Sequence, residues 1–156
     1  MSSAIWTCLL AIWAVMQSYP APFPRENAKK VFENERLVVW DVAWPKRRPT
    51  PMHQHSVDLA AVFIAPGVVR VITPDGDSQG GVVTEFGDIL FQSKGVIHQE
   101  EGVSDSPRRG ILVELKDGNV PPLPPKPGIP LAFPREGGKK LDENSRVTFW
   151  ESRWIP

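Results

Sequence analysis

The chain has 156 residues with 18 basic and 18 acidic side chains: room for one ordinary domain with tails, and none of the basic excess that phosphate-neutralising nucleic-acid binders need. Its single cysteine, Cys8, excludes an intrachain disulfide framework and a cysteine-cluster zinc site. Hydrophobic residues at 41% and charged residues at 23% exclude wholesale disorder, and 17 prolines with 12 glycines point to many turns and few helices.

The first element is an apolar run from Ala4 to Met16. It is too short to cross a bilayer and has the length of a secretory signal peptide's hydrophobic segment, with Ser18 and Ala21 as small residues near the cleavage region. Residues 1–21 therefore read as a signal peptide. The mature chain would carry no membrane span and would be secreted or periplasmic. Retained, the run would be a buried N-terminal element of a cytoplasmic protein.

From Arg36 onward the pattern is strand-like. Residues 36–44 are rich in β-branched and aromatic side chains. Residues 58–65 stop at Pro66-Gly67, and 68–73 stop at Pro74-Asp75-Gly76-Asp77, a hairpin signal. Further strands are predicted over 81–86, 88–92, 96–101 and 109–116, with no helical period between them. Short strands separated by Gly, Pro and Asp turns read as an antiparallel sandwich or barrel. Residues 117–130 then form a proline-rich linker that favours extended polyproline conformation.

Beyond the linker the chain repeats itself. Phe23 to Trp44 reads FPRENAKKVFENERLVVWDVAW, and Phe133 to Trp154 reads FPREGGKKLDENSRVTFWESRW, at a constant offset of 110 residues. Such a repeat marks residues 131–156 as the start of a second unit, cut short after the first at 22–116. Its apolar Val147, Phe149 and Trp150 are expected to dock, because an exposed apolar edge invites aggregation.

All three histidines lie in two clusters. Pro51-Met52-His53-Gln54-His55 places two imidazoles on one face of an extended strand, about 7 Å apart, so a bend could close both on one ion. Gly95-Val96-Ile97-His98 puts the third on a later strand that can lie opposite the first pair. Neutral imidazole is the commonest side-chain metal ligand.

This arrangement resembles the cupin superfamily of small jelly-roll β-barrels. The family's first motif is His-x-His, three or four residues, Glu, six residues, Gly; His53, His55 and Gly67 match it. The second is Gly, five residues, Pro-x-Gly, two residues, His, three residues, Asn; Gly87, Gly95 and His98 match it. The match spans residues 36–116 and departs in three places. The motif glutamate falls at Ala60 or Leu59, Ser93 replaces the proline and Gly102 the asparagine. The site is then similar to the three-histidine variants of the family.

The resemblance implies an all-β cupin jelly-roll with a short N-terminal segment and a C-terminal repeat stub. It implies His53, His55 and His98 as ligands of a divalent transition metal, with Fe, Zn, Ni or Cu suited to imidazole. It further implies oxygenase- or isomerase-like chemistry on a small organic acid or carbonyl compound. Other readings are a non-catalytic metal- or small-molecule-binding module, or a structural domain without metal. No residue stands out as catalytic base; Glu100 is the nearest. Asp58 and Glu100 are candidates to orient the imidazoles. Met52, Phe63, Ile89 and Phe91 are candidates to line a pocket or fill the barrel. Lys46-Arg47-Arg48 reads as a solvated basic turn, with anion attraction at the barrel mouth as the other reading, and Arg108-Arg109 reads as solvated too. Cupin domains commonly pair, so a homodimer is expected.

Overall fold

The computed structural model describes residues 18–118, 121 and 124–153. Cys8, the apolar run and Trp154 lie outside them. Among the described residues every regular element is a strand, and no helix is long and apolar enough to cross a membrane.

The strands run β1 (Ala28–Glu33), β2 (Leu37–Trp44), β3 (His53–Gln54), β4 (Asp58–Ala65), β5 (Gly67–Ile72), β6 (Ser78–Thr84), β7 (Ile89–Gln92), β8 (Ile97–Gly102) and β9 (Arg108–Leu115). A hairpin of β10 (Gly138–Glu143) and β11 (Thr148–Ser152) follows. The five-stranded sheet has the order β1-β2-β9-β4-β7 and the four-stranded sheet β3-β8-β5-β6, all antiparallel. This is the jelly-roll architecture that the strand pattern and motifs predict.

Period-two alternation explains the core. Along β2, Val38, Trp40, Val42 and Trp44 are buried while the residues between them are only partly so. They pack with Leu59, Ala61 and Phe63 of β4, Leu112 of β9 and Val69 of β5, so the core lies between the two sheets. Burying side chains of this size stabilises the fold by about 1.5–3 kcal/mol each. Gly67 is required where β5 begins, since a Cβ there would stand 2.7 Å from the backbone nitrogen of Arg108.

β1 is an addition to the predicted set, and β3 is shorter than the extended strand predicted at 51–55. AKKVFE carries only two adjacent large apolar residues, and β1 is held by pairing with β2. β3 is two residues long and exists through its ladder to β8.

The β10–β11 hairpin copies β1–β2 in detail. Lys30↔Trp40 becomes Lys140↔Trp150, and the irregularity after Lys30 recurs after Lys140. Phe23 stacks on Trp40 at 4.8 Å and Phe133 on Trp150 at 5.1 Å. The Asn34 side chain accepts from the backbone N–H groups of Arg36 and Leu37, and Asn144 does so from Arg146 and Val147. Yet the second hairpin forms a sheet of its own. Its strands do not pair with the barrel. It reaches the barrel through Arg146 at its turn, which meets Asp58 at 3.2 Å, Asp117 at 3.6 Å and the Leu115 carbonyl at 2.9 Å.

Candidate metal centre

The three imidazoles converge. β3 pairs with β8 in a register that sets His53 directly opposite His98. His55 follows on the same chain, its N–H donating to the Val96 carbonyl at 3.0 Å and its carbonyl accepting from Gly95 N–H at 2.7 Å. Gly95 has φ of +93°, a left-handed conformation that closes the turn leading into β8 and that a side chain would strain. Local turn chemistry and strand pairing thus bring together rings 43 positions apart in sequence.

His53, His55 and His98 are 2%, 5% and 7% exposed, and one ligand atom from each lies within 4.8 Å of the others. The Nε2 atoms of His55 and His98 are 3.2 Å apart. A tetrahedral ion with bonds of about 2.1 Å would space its nitrogens by about 3.4 Å, close to this separation, which also lies within hydrogen-bond reach.

The protonation states fit as well. His53 Nδ1–H donates to the Pro51 carbonyl at 2.9 Å, which fixes the tautomer and leaves Nε2 with a bare lone pair. That Nε2 is buried and has no hydrogen-bond partner among the described residues. Burial depresses the pKa of all three rings, bringing His55 down to about 3 with help from His98 and His53. Three neutral nitrogen donors, one of them orphaned in the interior, suit a divalent transition metal.

Beside the rings lies a charged cluster. Glu100, two residues beyond His98 on β8, takes Arg25 at 3.3 Å, Arg108 at 3.3 Å and the Trp44 indole N–H at 2.9 Å. Burial pushes its carboxyl up, but Arg25, Arg108 and the indole outweigh it and hold the pKa at about 2. Glu100 is therefore ionised and engaged, neither a free base nor an orienter of imidazole. Asp58 is equally committed elsewhere, accepting the Lys94 N–H and pairing with Arg146. The carbonyl of Pro51 does the orienting expected of a carboxylate.

These groups share one small cavity of about 20 Å³, walled also by Phe23, Leu59 and Phe63. A water needs about 10–15 Å³, so there is space for about one water beside the rings. Of the two positions aligned with the missing motif glutamate, Leu59 faces this cavity and supplies no ligand. Of the predicted pocket residues only Phe63 lines it. β7 presents Leu90 and Gln92 instead of Ile89 and Phe91, the opposite face of that strand.

Arg108 corrects a sequence expectation. It is 5% exposed and packed against the rings of Trp44 at 4.2 Å and Phe63 at 4.7 Å, whereas its neighbour Arg109 points outward to Asp41. The signal was available in the strand period: Arg108, Gly110 and Leu112 share the inward face of β9.

No protein-family profile matches the sequence, and no curated protein matches it. Solved structures do. A cupin domain from Bordetella pertussis Tohama I is 25% identical, with the match covering 65% of this chain and 99% of that one at a TM-score of 0.53. An RmlC-like cupin family protein of Methanocaldococcus jannaschii with a double-stranded β-helix fold matches at 15% identity, over 66% and 93% of the chains, with a TM-score of 0.47. A cupin superfamily protein of Desulfitobacterium hafniense DCB-2 matches at 16% identity, over 69% and 100%, with a TM-score of 0.45.

Proposed function

The chain belongs to the cupin superfamily, and from that premise we propose that it is a metal-dependent enzyme of the oxygenase type, acting on a small organic acid or carbonyl compound. His53, His55 and His98 hold the ion in this reading. The observation that carries it is the convergence of three buried, neutral imidazoles with one ring nitrogen left unsatisfied. When bound, the metal would supply Lewis acidity or an O₂-binding centre, and three protein ligands leave a position for substrate.

The chain's own residues set the conditions. Pro51 holds the His53 ring so that Nε2 faces the interior. Leu59, Phe23 and Phe63 form the apolar part of a chamber wall that Arg25, Glu100 and Arg108 share. Leu59 in place of the family carboxylate leaves a divalent ion at its full charge, which favours anionic ligands. No side chain in the cavity is free to act as general base, since Glu100 is bound by two guanidiniums and an indole. This points to chemistry that needs no protein base.

The small cavity favours one second reading, a module that binds metal and a small ligand without turnover. Elemental analysis of protein purified without a histidine tag tests the metal. About one transition-metal ion per chain is expected, lost in His98→Ala with the barrel still folded by circular dichroism. Unchanged metal in His98→Ala would sink the ligand assignment. Oxygen consumption with a panel of keto and thiol acids separates enzyme from binding module.

A further inference from the structure

The cavity next to the histidines carries more cationic charge than its partners balance. Arg25 and Arg108 both spend their contacts on one carboxylate, Glu100, whose side chain is 13% exposed. One negative charge against two leaves a surplus positive charge inside the barrel. Arg108 also holds an unused donor: its Nε–H is buried and has no acceptor among the described residues. A guanidinium offers five N–H groups, and one left unmet in the interior forfeits the hydrogen bond that water would give it in the unfolded chain. The side chain is 5% exposed and lies against the rings of Trp44 and Phe63, so its donors are held away from solvent. A fixed, desolvated cation with an open donor, in the wall of a cavity that also holds the imidazoles, is arranged for an anion.

We infer that Arg108, flanked by Arg25, is the anion-reading half of this site, and that the natural ligand carries a carboxylate. The inference rests on the metal reading only for where the ligand's reacting end lies. The carboxylate accepts the Arg108 Nε–H, and the other end faces the imidazoles. A neutral carbonyl compound lacks the charge that the guanidinium pair awaits, so the two substrate classes part here. The chamber, with space for about one water, restricts the ligand to the most compact acids.

The test uses the ¹⁵N-labelled full chain, with and without Co(II), titrated with acetate and with its neutral isostere acetamide; chloride at matched ionic strength is the control. The probes are the Arg108 Nε–H signal, assigned by its loss in Arg108→Lys, and the Trp44 indole signal beside it. Acetate is expected to shift both saturably and acetamide to bind at least about tenfold more weakly, the scale of one hydrogen bond to a charged group. Arg108→Lys should weaken acetate by a similar factor while Co(II) is retained, and Arg109→Lys should leave the response unchanged. Should Arg108→Lys fail to fold, the acetate–acetamide contrast at the Trp44 indole of the wild-type chain decides alone. Equal binding of acetate and acetamide, or a wild-type acetate response in folded Arg108→Lys, would overturn the inference. Failure of Co(II) to bind with the acetate response intact would remove the metal reading and keep this one.

Discussion

The two hairpins of this chain are a controlled comparison. β1–β2 and β10–β11 share their register, their irregularity, their Phe–Trp stack and their asparagine-closed turn. One of them is built into the barrel wall and the other stands as a separate sheet. Local sequence is thus enough to specify a hairpin down to its side-chain contacts, and burial alone decides how much the hairpin contributes. The inward face shows the difference: Val38 and Val42 have Thr148 and Ser152 as counterparts. A face designed to sit on a core keeps valine; its copy has traded both for hydroxyls.

Trp40→Ala should give the largest separation. Trp40 is buried, stacked on Phe23 and bonded through its indole N–H to Glu114 at 2.7 Å. Its loss should cost about 3–5 kcal/mol in urea unfolding, against about 1 kcal/mol or less for Trp150→Ala. Equal losses would break the comparison.

Acid should separate the regions next. In the metal-free protein the unfolded chain protonates its imidazoles below the ordinary 6.5, while the folded barrel holds His55 neutral to about 3. Stability therefore falls as pH drops from 6.5 toward 3. Glu100 acts in the same direction lower down: its contribution is present above the ordinary 4.5 and is lost as pH falls through about 2. The second hairpin contains no histidine. Amide exchange should show protection falling across the barrel between pH 6.5 and 4 and unchanged in β10–β11. A pH-independent unfolding midpoint over that range would contradict the buried neutral rings.

Asn34→Ala should cost the barrel about 1 kcal/mol by loss of its turn bonds. Asn144→Ala, the same change in the copy, should move only local exchange rates around Val147. Arg146→Ala is the smallest effect: the barrel's midpoint should shift by less than about 1 kcal/mol, since its ion pairs are partly exposed. Its signature should be faster proteolysis in residues 124–153. An unchanged cleavage rate would mean that the hairpin is held by something other than Arg146.

Much of this was legible in the residues. β-Branched and aromatic enrichment marked β2, and Pro-Gly and Asp-Gly punctuation placed the end of β4 and the turns of the barrel. The histidine spacing marked all three convergent rings. What was not legible had physical causes. β1 is an edge strand with Val31 and Phe32 exposed, so it lacks an inward apolar face to read. Arg108 hid behind Arg109, because adjacent strand residues face opposite ways and a doubled arginine resembles a solvated turn. Glu100 looked available until its three donors, drawn from the N-terminal segment, β2 and β9, were in place.

The stretch from Pro20 to Arg25 precedes every regular element, yet it completes the chamber. The Pro20 carbonyl accepts the Gln54 N–H at 2.9 Å, and Pro22, Phe23 and Arg25 form one side of the wall. A fragment trimmed to start at Leu37 would retain all three imidazoles and open that side to water. The minimal piece worth expressing for ligand studies therefore begins ahead of Pro20, well upstream of the residues by which the motifs announce themselves.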